Sequence, residues 1–364
     1  MSVYVLTAGG TGGHLFPAEA LAGVLQARGH DVVLMTDARG KKFSGALAGA
    51  RIITVPSAAL SGRSVVKLAL APFKIAAGFL CSAGHFRKLK PAAVIGFGGY
   101  PSVPVMLAAV AGGYLTAIVS PDALLGRANR LLMNRVDAIA ANFPLVRFLP
   151  KHMGRVVYTG NPLRPAVLAI SPAPYDPPTA DGPIRLTVFG GSQGARVFSD
   201  VVPEALSLLP EALRARLDLV QQCRAEDIDT VRAGYEKLGI RAVLKSFFDD
   251  MPAQMARAHL VIGRSGAGTV SELATIGRPA ILVPLPYALD DNQTPNAEAL
   301  VTVGGGWRVA QKDFTAQKLA DHLQQIFADP ADLSQRAANA RALAKPHATE
   351  ALADLVESLE KKRD

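Results

Sequence analysis

The chain contains the same three-part pattern twice, and this duplication restricts the fold more than any other feature. The strand-like run Val3–Ala8 is followed by the loop Gly9-Gly-Thr-Gly-Gly-His14 and a helical pattern over Pro17–Arg28. A second run, Ile184–Phe189, leads into Gly190-Gly-Ser-Gln-Gly-Ala195 and another helical pattern. Strand, glycine turn and helix open a doubly wound α/β domain. We therefore predict an α/β protein with two Rossmann-like domains that face each other across a cleft.

Length and breaker residues agree with two domains. The 364 residues suffice for two domains of roughly 150 residues each. The uncharged run 91–121 has the length of a membrane span, but glycines and prolines interrupt it, so we predict a strand, a glycine loop, a buried helix and a strand. Ser171–Pro183 contains five prolines and is predicted to be an extended linker or surface loop between the halves. The two cysteines, Cys81 and Cys223, are too far apart in sequence to indicate a disulfide scaffold or a zinc site.

Basic residues are concentrated in the first half of the chain. Residues 1–163 contain 17 Lys/Arg and 5 Asp/Glu, whereas residues 164–364 contain 22 and 25. Residues 38–121 contain ten Lys/Arg and no acidic residue. Such a half predicts an anionic partner. We favour anionic lipid or a diphosphate-bearing substrate over nucleic acid, because the basic residues alternate with aliphatic ones and no nucleic-acid-binding module is recognisable.

Three glycine loops give the first indication of chemistry. Gly190–Ala195 opens a helix whose terminal N–H groups suit a phosphate, although a tight turn without a ligand explains this motif equally well. Gly9–His14 is a backbone nest suited to a diphosphate. His14 at its end is a candidate general base, and the alternative is a histidine that packs on or caps the first helix. A third loop, Gly96–Ser102, also follows a strand, and turns alone do not explain three such loops.

Two later segments add polar groups. Arg264–Glu272 follows a strand, and Glu272 is suited to accept hydrogen bonds from a ribose diol or, alternatively, to stabilise the first turns of a helix. Pro284–Gln293 is a loop whose amides suit sugar hydroxyls. Asp227 and Asp229 form a DxD pattern of the kind that holds a metal in some sugar-nucleotide enzymes. Because this pair lies in an acidic helical segment away from the glycine loops, we predict a solvated helix start and no tightly held catalytic metal.

One basic, apolar segment indicates a membrane surface. Val65–Leu80 mixes apolar residues with lysines, and Arg87, Lys88 and Lys90 follow it. Basic amphipathic surfaces bind anionic bilayers, with about 1 kcal/mol for each basic residue near the surface. The alternative is that these apolar residues belong to the core. We predict peripheral attachment to the membrane.

Taken together, the motifs resemble those of the MurG family, the UDP-N-acetylglucosamine–undecaprenyl-diphospho-muramoylpentapeptide N-acetylglucosaminyltransferases. The resemblance covers nearly the whole chain, and several motifs in the same order are more specific than any one of them. The motifs that carry it are Gly9–His14, Gly96–Ser102, Gly126–Leu132, Thr159–Arg164, Gly190–Ala195, Phe247–Met251, Arg264–Glu272, Asp290–Gln293 and Asn296-Ala297.

The resemblance implies a GT-B fold. Residues 1–163 would form an acceptor-binding, membrane-associating domain, residues 164–340 a UDP-GlcNAc-binding domain, and residues 341–364 a helix that returns to the first domain. The implied reaction is an inverting transfer of GlcNAc from UDP-GlcNAc to the MurNAc C4 hydroxyl of lipid I. Its products are lipid II, with a β-1,4 linkage, and UDP, a step of peptidoglycan synthesis that serves cell division and cell shape.

The same resemblance assigns residues to roles. Arg164 and Ser192 would bind the diphosphate, the Phe248 backbone would read uracil, Glu272 would hold the ribose, and Gln293 with Asn292 would hold the GlcNAc hydroxyls. The full donor set is Arg164, Gly191, Ser192, Gln193, Phe248, Ala267, Thr269, Glu272, Asn292 and Gln293. His14 would be the catalytic base, and the acceptor set is Thr11, Gly12, Gly13, Gly98, Gly99, Tyr100 and Asp122.

The implied partners follow from this reaction. UDP-GlcNAc is a substrate, and no tightly bound cofactor is expected. The acceptor is the undecaprenyl-diphosphate-linked lipid I, and the further partners are an anionic membrane surface and proteins of cell-wall synthesis. The protein would lie peripherally on the cytoplasmic face of the cell membrane.

One segment departs from the family pattern. Before Gly126 the family carries His-Glu-Gln-Asn, whereas this chain has Val119-Ser-Pro-Asp122. The glutamate and asparagine of the family become Ser120 and Asp122, and the aspartate adds a negative charge near a diphosphate site. This departure leaves open a GT-B transferase with a different lipid-linked acceptor, or a non-catalytic, membrane-peripheral protein that binds UDP-sugar. A UDP-sugar epimerase of similar fold is a further alternative, but it leaves the basic apolar segment without a purpose.

Overall fold

The computed structural model describes residues 1–9, 12–37, 47, 50–58, 65–149, 155–170, 174–191 and 194–360. They form two compact units, Met1–Arg164 with His347–Asp364 and Pro165–Pro346. Each unit contains one parallel sheet with helices on its two faces. The prediction of two doubly wound α/β domains is therefore confirmed.

The first unit is built on a seven-stranded sheet with the order β3-β2-β1-β4-β5-β6-β7. All pairs of neighbouring strands are parallel. Its elements are β1 (Val3–Thr7), α1 (Gly12–Ala27), β2 (Asp31–Thr36), β3 (Arg51–Thr54), α2 (Val65–Leu89), β4 (Ala93–Gly96), α3 (Ser102–Ala111), β5 (Thr116–Ser120), α4 (Arg127–Leu132), β6 (Ala138–Ala141), β7 (Val156–Tyr158) and α14 (Ala348–Glu360).

Both faces of this sheet are buried, because helices cover each of them. Successive residues of a strand point to opposite faces, so Leu6 and Val5 of β1 belong to different cores. Leu6 packs in the core that includes Leu21 of α1 and Leu352 of α14, while Val5 packs in the core that includes Val105 of α3. This arrangement explains why the strands read as continuous apolar runs.

The last helix of the chain belongs to the first unit. Residues Pro165–Pro346 form the second unit, but α14, which follows them in the sequence, packs on α1. Arg28 Nη1 lies 2.8 Å from Asp354 Oδ1 and 2.9 Å from Glu357 Oε2. Tyr4 Oη donates to Glu360 at 3.1 Å, and burial beside this carboxylate raises the pKa of Tyr4. Apolar packing and carboxylate contacts together hold α14 on the first unit.

The second unit is built on a six-stranded parallel sheet with the order β10-β9-β8-β11-β12-β13. Strands β9 and β10 lie on one side of β8, and β11 lies on its other side. In the first unit β1 is likewise flanked by β2 on one side and β4 on the other. In sheets of this kind, ligands bind beyond the carboxyl ends of the strands at such positions. The elements are α5 (Pro165–Ile170), β8 (Ile184–Phe189), α6 (Arg196–Ser207), α7 (Glu211–Arg214), β9 (Leu217–Gln222), α8 (Ile228–Lys237), β10 (Arg241–Lys245), α9 (Met251–Arg257), β11 (Leu260–Gly263), α10 (Ala267–Ile276), β12 (Ala280–Leu282), α11 (Gln293–Thr302), β13 (Gly306–Arg308), α12 (Ala316–Ala328) and α13 (Pro330–Ala342).

The proline-rich segment differs in place from the sequence interpretation. The units divide at Arg164 and Pro165, so the described part of this segment, residues 174–183, lies within the second unit. Tyr175 Oη donates to the His259 carbonyl oxygen at 2.9 Å, and the Arg278 guanidinium lies 5.3 Å from the Tyr175 ring centroid. A tyrosine and a buried arginine thus attach the segment to the body of the unit.

Two apolar stretches of the first unit are resolved as different structures. The uncharged run 91–121 is divided into β4, α3 and β5, as predicted. In contrast, Ala69–Leu89 within α2 is long and apolar enough, by length and composition alone, to cross a membrane. One side of α2 packs tightly on the body of the unit. Gly78 shows this, since an added Cβ there would lie 3.0 Å from Pro104 Cβ of α3. Phe73 and Leu80 are exposed on the remaining surface, so α2 is a one-sided packed helix.

Candidate active site

The first and third glycine loops meet at the carboxyl ends of β1 and β4. The Gly9 N–H donates to the Gly98 carbonyl oxygen at 3.1 Å. A Cβ on Gly99 would lie 3.0 Å from Gly9 Cα, and Gly98 and Gly99 have positive φ angles of 89° and 77°. Side chains at these positions would separate the loops and strain the backbone. The two loops therefore form one surface, which contains the predicted acceptor residues Gly98 and Gly99.

His14 packs against this surface from the first turns of α1. A Cβ on Gly9 would lie 3.3 Å from His14 Cδ2, and a Cβ on Gly98 would lie 3.4 Å from His14 Cε1. Among the described residues, the buried Nδ1 atom of His14 has no hydrogen-bond partner. The glycines thus leave room for the imidazole ring, and the histidine is packed at the strand ends.

The surroundings of His14 keep its imidazole neutral. Burial lowers the pKa of His14, while the negative charge of Asp122 acts in the opposite direction. A neutral imidazole accepts a proton, as a general base must. A neutral imidazole is consistent with the base role of His14, which stays a prediction.

Tyr100, another predicted acceptor residue, is held by a buried carboxylate. Its hydroxyl donates to Asp37 Oδ2 at 2.9 Å, and Asp37 follows the carboxyl end of β2. Ser102 Oγ also donates to the Gly99 carbonyl oxygen at 2.7 Å. These bonds fix Tyr100 beside the glycine surface. Asp37 was not among the residues predicted from the sequence, because nothing in the local sequence links it to Tyr100, 63 positions away.

Segment 119–122, which differs from the family pattern, lies at the end of β5, the neighbour of β4. Ser120 Oγ donates to the Asp122 carbonyl oxygen at 3.1 Å. Asn129 Nδ2 donates to the Val119 carbonyl oxygen at 2.8 Å, and its buried Oδ1 has no partner within the described part of the chain. The serine and Asn129 thus shape the turn that places the Asp122 charge near His14. Asn129 was contained in a sequence motif but was not singled out there.

Six further predicted site residues lie at the first glycine loop, the second glycine loop and the boundary between the units. Thr11, Ser192 and Gln193 lie outside the described residues. Gly12 is the first residue of α1, followed by the exposed Gly13. Arg164 is exposed and is the last residue of the first unit before the division.

The second unit places its glycine loop between β8 and α6. A Cβ on Gly190 would lie 2.3 Å from the Ala195 nitrogen, and Gly191 and Gly194 have positive φ angles of 84° and 70°. The N-cap position of α6, Ala195, provides no side-chain cap. A helix start of this kind presents N–H groups and a partial positive charge to an anion.

Polar contacts hold the residues that are predicted to bind the sugar, at the ends of β11 and β12. Gln293 is the first residue of α11, and its Oε1 accepts from the Leu285 N–H at 3.0 Å. The Gln293 carbonyl oxygen accepts from Ser265 Oγ at 2.8 Å, and the buried Asn296 donates to the Ser265 carbonyl oxygen at 3.1 Å. Since the backbone N–H requires the oxygen of the amide, the Gln293 side chain is oriented with Oε1 towards Leu285. Asn292 precedes it as the N-cap residue.

Arg264, which begins the Arg264–Glu272 motif, has an internal role. Its Nη1 donates to the Val283 and Pro284 carbonyl oxygens at 3.0 and 3.1 Å, and its Nη2 donates to Gln311 at 2.7 Å. The arginine thus fixes the end of β12. Glu272 is half-buried within α10, whose first turn contains Ala267 and Thr269. Phe248 is buried after the end of β10.

The two aspartates of the DxD pattern bind arginines. Arg224 Nε lies 2.8 Å from Asp227 Oδ2, and Arg232 Nη1 lies 2.8 Å from Asp229 Oδ1. The Arg224 contact lowers the pKa of Asp227. Asp229 lies in the first turn of α8, where a carboxylate is favourable. Local ion pairs and a helix start therefore account for these side chains.

Comparison with known proteins agrees with this arrangement. Residues 4–141 match the Glycosyltransferase family 28 N-terminal domain, and residues 185–357 match the Glycosyltransferase family 28 C-terminal domain. A relative from Paramagnetospirillum magneticum is 50% identical over 355 residues, which are 97% of this chain and 96% of the relative. A relative from Brucella canis is 50% identical over 361 residues, 98% of this chain and 94% of the relative. Both are named UDP-N-acetylglucosamine--N-acetylmuramyl-(pentapeptide) pyrophosphoryl-undecaprenol N-acetylglucosamine transferase.

A solved structure is similar over the same extent. The crystal structure of Acinetobacter baumannii MurG is 30% identical with a TM-score of 0.79, and the match covers 98% of this chain and 99% of that one. The resemblance and the GT-B fold expected from the ordered motifs are thereby confirmed. This chain belongs to glycosyltransferase family 28 and, within it, to the MurG family.

Proposed function

We propose that this protein transfers GlcNAc from UDP-GlcNAc to the MurNAc C4 hydroxyl of lipid I, forming lipid II and UDP with inversion at the sugar. The relatives at 50% identity carry the name of this reaction. The observation that carries the proposal is the half-buried, neutral His14 at the meeting point of two glycine loops. A UDP-sugar epimerase is less consistent with the relatives and with this family.

The first unit supplies acceptor binding and the base. Backbone N–H groups of the loops that contain Gly12, Gly13, Gly98 and Gly99 suit the diphosphate of the acceptor. Thr11 is also assigned to the acceptor, and Tyr100 is held in place by Asp37. His14 removes the proton from the C4 hydroxyl as the oxygen attacks the anomeric carbon. The attack is a single displacement, so the new linkage has inverted configuration.

The second unit supplies most of the donor site. The loop with Gly191, Ser192 and Gln193 and the start of α6 stabilise the negative charge that develops on the departing UDP, together with Arg164. The Phe248 backbone binds uracil, while Glu272 near Ala267 and Thr269 accepts hydrogen bonds from the ribose. Asn292 and Gln293 bind the GlcNAc hydroxyls. Because the Gln293 Oε1 is already engaged by Leu285, we assign its Nε2 group to the sugar.

The reaction is proposed to proceed without a tightly bound metal. The carboxylates of the DxD pattern are engaged by Arg224 and Arg232. Charge stabilisation of the leaving group is assigned to Arg164 and to the start of α6 instead. UDP-GlcNAc is the donor substrate in this proposal.

The test is UDP release from UDP-GlcNAc, with and without a short-chain lipid I analogue, at neutral pH in the presence of a chelator. We expect release that depends on the acceptor and resists chelation. Release that requires added divalent cation would contradict the metal-free step. Absence of release from a protein that still binds UDP would contradict the proposed acceptor.

A second candidate function is transfer to a different lipid-linked acceptor. The specific observation that favours it is the 119–122 segment, where Ser120 bonds to the Asp122 backbone and Asp122 adds charge near His14. An acceptor without a diphosphate would be repelled less by this carboxylate. UDP release with a lipid-linked monophosphate or neutral glycolipid, but not with the lipid I analogue, would favour this candidate.

Changing Asp122 to Asn should alter the pH dependence of the reaction. The Asp122 charge raises the pKa of His14, so its removal lowers that pKa further. The neutral, proton-accepting form then persists to lower pH, and the acidic limb of the kcat/KM profile moves to lower pH. A weaker base should also reduce the plateau rate. The measurement is the pH profile of UDP release.

The control for that profile is Asp31→Asn, at the opposite, amino-terminal edge of the same sheet. It removes an equal charge, and its acidic limb should stay in place. A limb that moves to higher pH, or moves equally in both variants, would rule out the action of Asp122 on His14.

We further propose that the protein attaches peripherally to the cytoplasmic face of the cell membrane through α2, and acts there with proteins of cell-wall synthesis. Phe73 and Leu80 are 73% and 69% exposed, and Lys74, Arg87 and Lys88 are exposed on the same helix. Exposed apolar and basic residues together suit an anionic bilayer. The tight packing of Gly78 against Pro104 favours a helix that lies on the membrane over one that crosses it.

Replacing Lys74, Arg87 and Lys88 by Glu should release the protein from anionic vesicles. At about 1 kcal/mol for each basic residue, the loss of three charges reduces partitioning by roughly a hundredfold. Co-sedimentation with vesicles of phosphatidylglycerol and phosphatidylcholine measures it. The control Lys237→Glu, on α8 of the second unit, should sediment as the parent does. Equal binding of the triple variant would contradict the proposed surface.

A further inference from the structure

Gln222 is buried at the carboxyl end of β9, and both ends of its amide are engaged by backbone. Its Oε1 accepts from the Gly190 N–H at 3.2 Å, and its Nε2 donates to the Ser246 carbonyl oxygen at 3.1 Å. Only 4% of the residue is exposed. Because a backbone N–H requires an oxygen and a carbonyl requires a donor, these two partners fix the orientation of the amide.

The topology explains why one side chain reaches both partners. In the order β10-β9-β8, β9 lies between the other two strands. Gly190 directly follows β8, and Ser246 directly follows β10. The last residue of the middle strand is therefore placed so that its side chain can bridge the loops on both sides of it.

The two bridged loops have different tasks in the proposed donor site. The Gly190 loop leads to α6 and binds the diphosphate, whereas Ser246 leads to Phe248, whose backbone binds uracil. We propose that Gln222 is a positioning residue for the donor: its amide sets the spacing between these loops, so that the uracil and the diphosphate of one UDP are bound together. This inference rests on the donor site of the proposed function.

The adjacent residue has a different role, which provides a matched control. Gln221 is also buried, but successive strand residues point to opposite faces of the sheet. Its Oε1 accepts from Tyr235 Oη of α8. Gln221 thus supports the packing of α8. Its bond to Tyr235 involves neither of the two donor loops. Substitution of either glutamine removes one buried amide from the same strand.

The experiment compares Gln222→Met with Gln221→Met. The dissociation constants of UDP and of uridine are measured by calorimetry, and melting temperatures report stability. For Gln222→Met we expect the Kd of UDP to rise about tenfold, since two buried backbone groups lose their partner. The Kd of uridine should rise by less, because uridine does not need both loops at once. Gln221→Met should lower the melting temperature but leave the Kd of UDP within about twofold.

A second variant keeps the test decisive if Gln222→Met does not fold. Gln222→Asn keeps the amide but is one methylene shorter, so it reaches one loop at a time. We expect an increase of several-fold in the Kd of UDP. The proposal is overturned if Gln222→Asn or Gln222→Met binds UDP as the parent does. It is also overturned if Gln221→Met raises the Kd of UDP to the same extent as Gln222→Met.

Steady-state kinetics separate this inference from the proposed function. If the transfer occurs, Gln222→Met should raise the KM for UDP-GlcNAc more than it lowers kcat. A parent that releases no UDP with lipid I, but whose UDP affinity falls in Gln222→Met, would refute the transfer and support the positioning role. Acceptor-dependent release together with unchanged UDP affinity in the variant would refute the positioning role alone.

Discussion

Replacing His14 by Ala should reduce kcat by about a thousandfold while the Kd of UDP stays unchanged. General-base catalysis contributes roughly 10²- to 10⁴-fold, and the neutral imidazole at the meeting point of two glycine loops is the group assigned to it. UDP binds to groups assigned mainly to the second unit, whereas His14 belongs to the first. UDP release with the lipid I analogue gives kcat, and calorimetry gives the affinity for UDP.

His322→Ala is the control for this variant. His322 is a half-buried histidine of α12 in the second unit, where its ring contacts Trp307 edge to face. Its loss should leave kcat within about twofold of the parent, since it contacts no assigned catalytic group. If His14→Ala kept more than about a tenth of the parent kcat, the base would have to be another residue. If it lost UDP binding as well, its defect would be structural.

The second large effect is expected for Gly190→Ala. The added Cβ would lie 2.3 Å from the Ala195 nitrogen and 2.5 Å from the Gly194 carbonyl carbon, far below a normal contact distance. The loop must therefore move away from the start of α6, and the bond from the Gly190 N–H to Gln222 is strained. We expect kcat/KM for UDP-GlcNAc to fall about a hundredfold, as when a group that stabilises a departing negative charge is lost.

Gly234→Ala tests whether any added methyl group would have this effect. Gly234 lies within α8 of the same unit, where a Cβ would lie 3.7 Å from Pro203 Cβ, an ordinary contact. Alanine in a helix interior is more favourable than glycine by roughly 0.5–1 kcal/mol, so this variant should be slightly more stable and fully active. The role of the Gly190 loop would be contradicted if Gly190→Ala retained the parent kcat/KM.

The sequence alone was sufficient for the fold class because its signals are local. A strand, a glycine turn and a helix follow one another within about 25 residues in each half, and right-handed crossovers leave few ways to assemble such units. The glycine loops could be recognised for the same reason, since Gly98 and Gly191 stand where the backbone has a positive φ. The order of the motifs then identified the family.

The sequence could not reveal which residues support those loops. Asp37 holds Tyr100 across 63 positions of the chain, and Gln222 reaches Gly190 across 32. Neither contact leaves a pattern in the local sequence, because it depends on the order of strands in the sheet. The place of the segment around Tyr175 was likewise decided by its bond to His259, 84 residues away.

The sequence by itself therefore determined, through short-range periodicity, that two parallel α/β units form. Its glycines also indicated which strand ends expose backbone N–H groups. Only the tertiary structure decided which side chains meet there. Strand order brings β9 between β8 and β10, and the burial of α2 on one side leaves Phe73 and Lys74 exposed on it. The physical reason is that backbone conformation is set by neighbouring residues, whereas hydrogen bonding and burial are set by whichever residues the fold brings into contact.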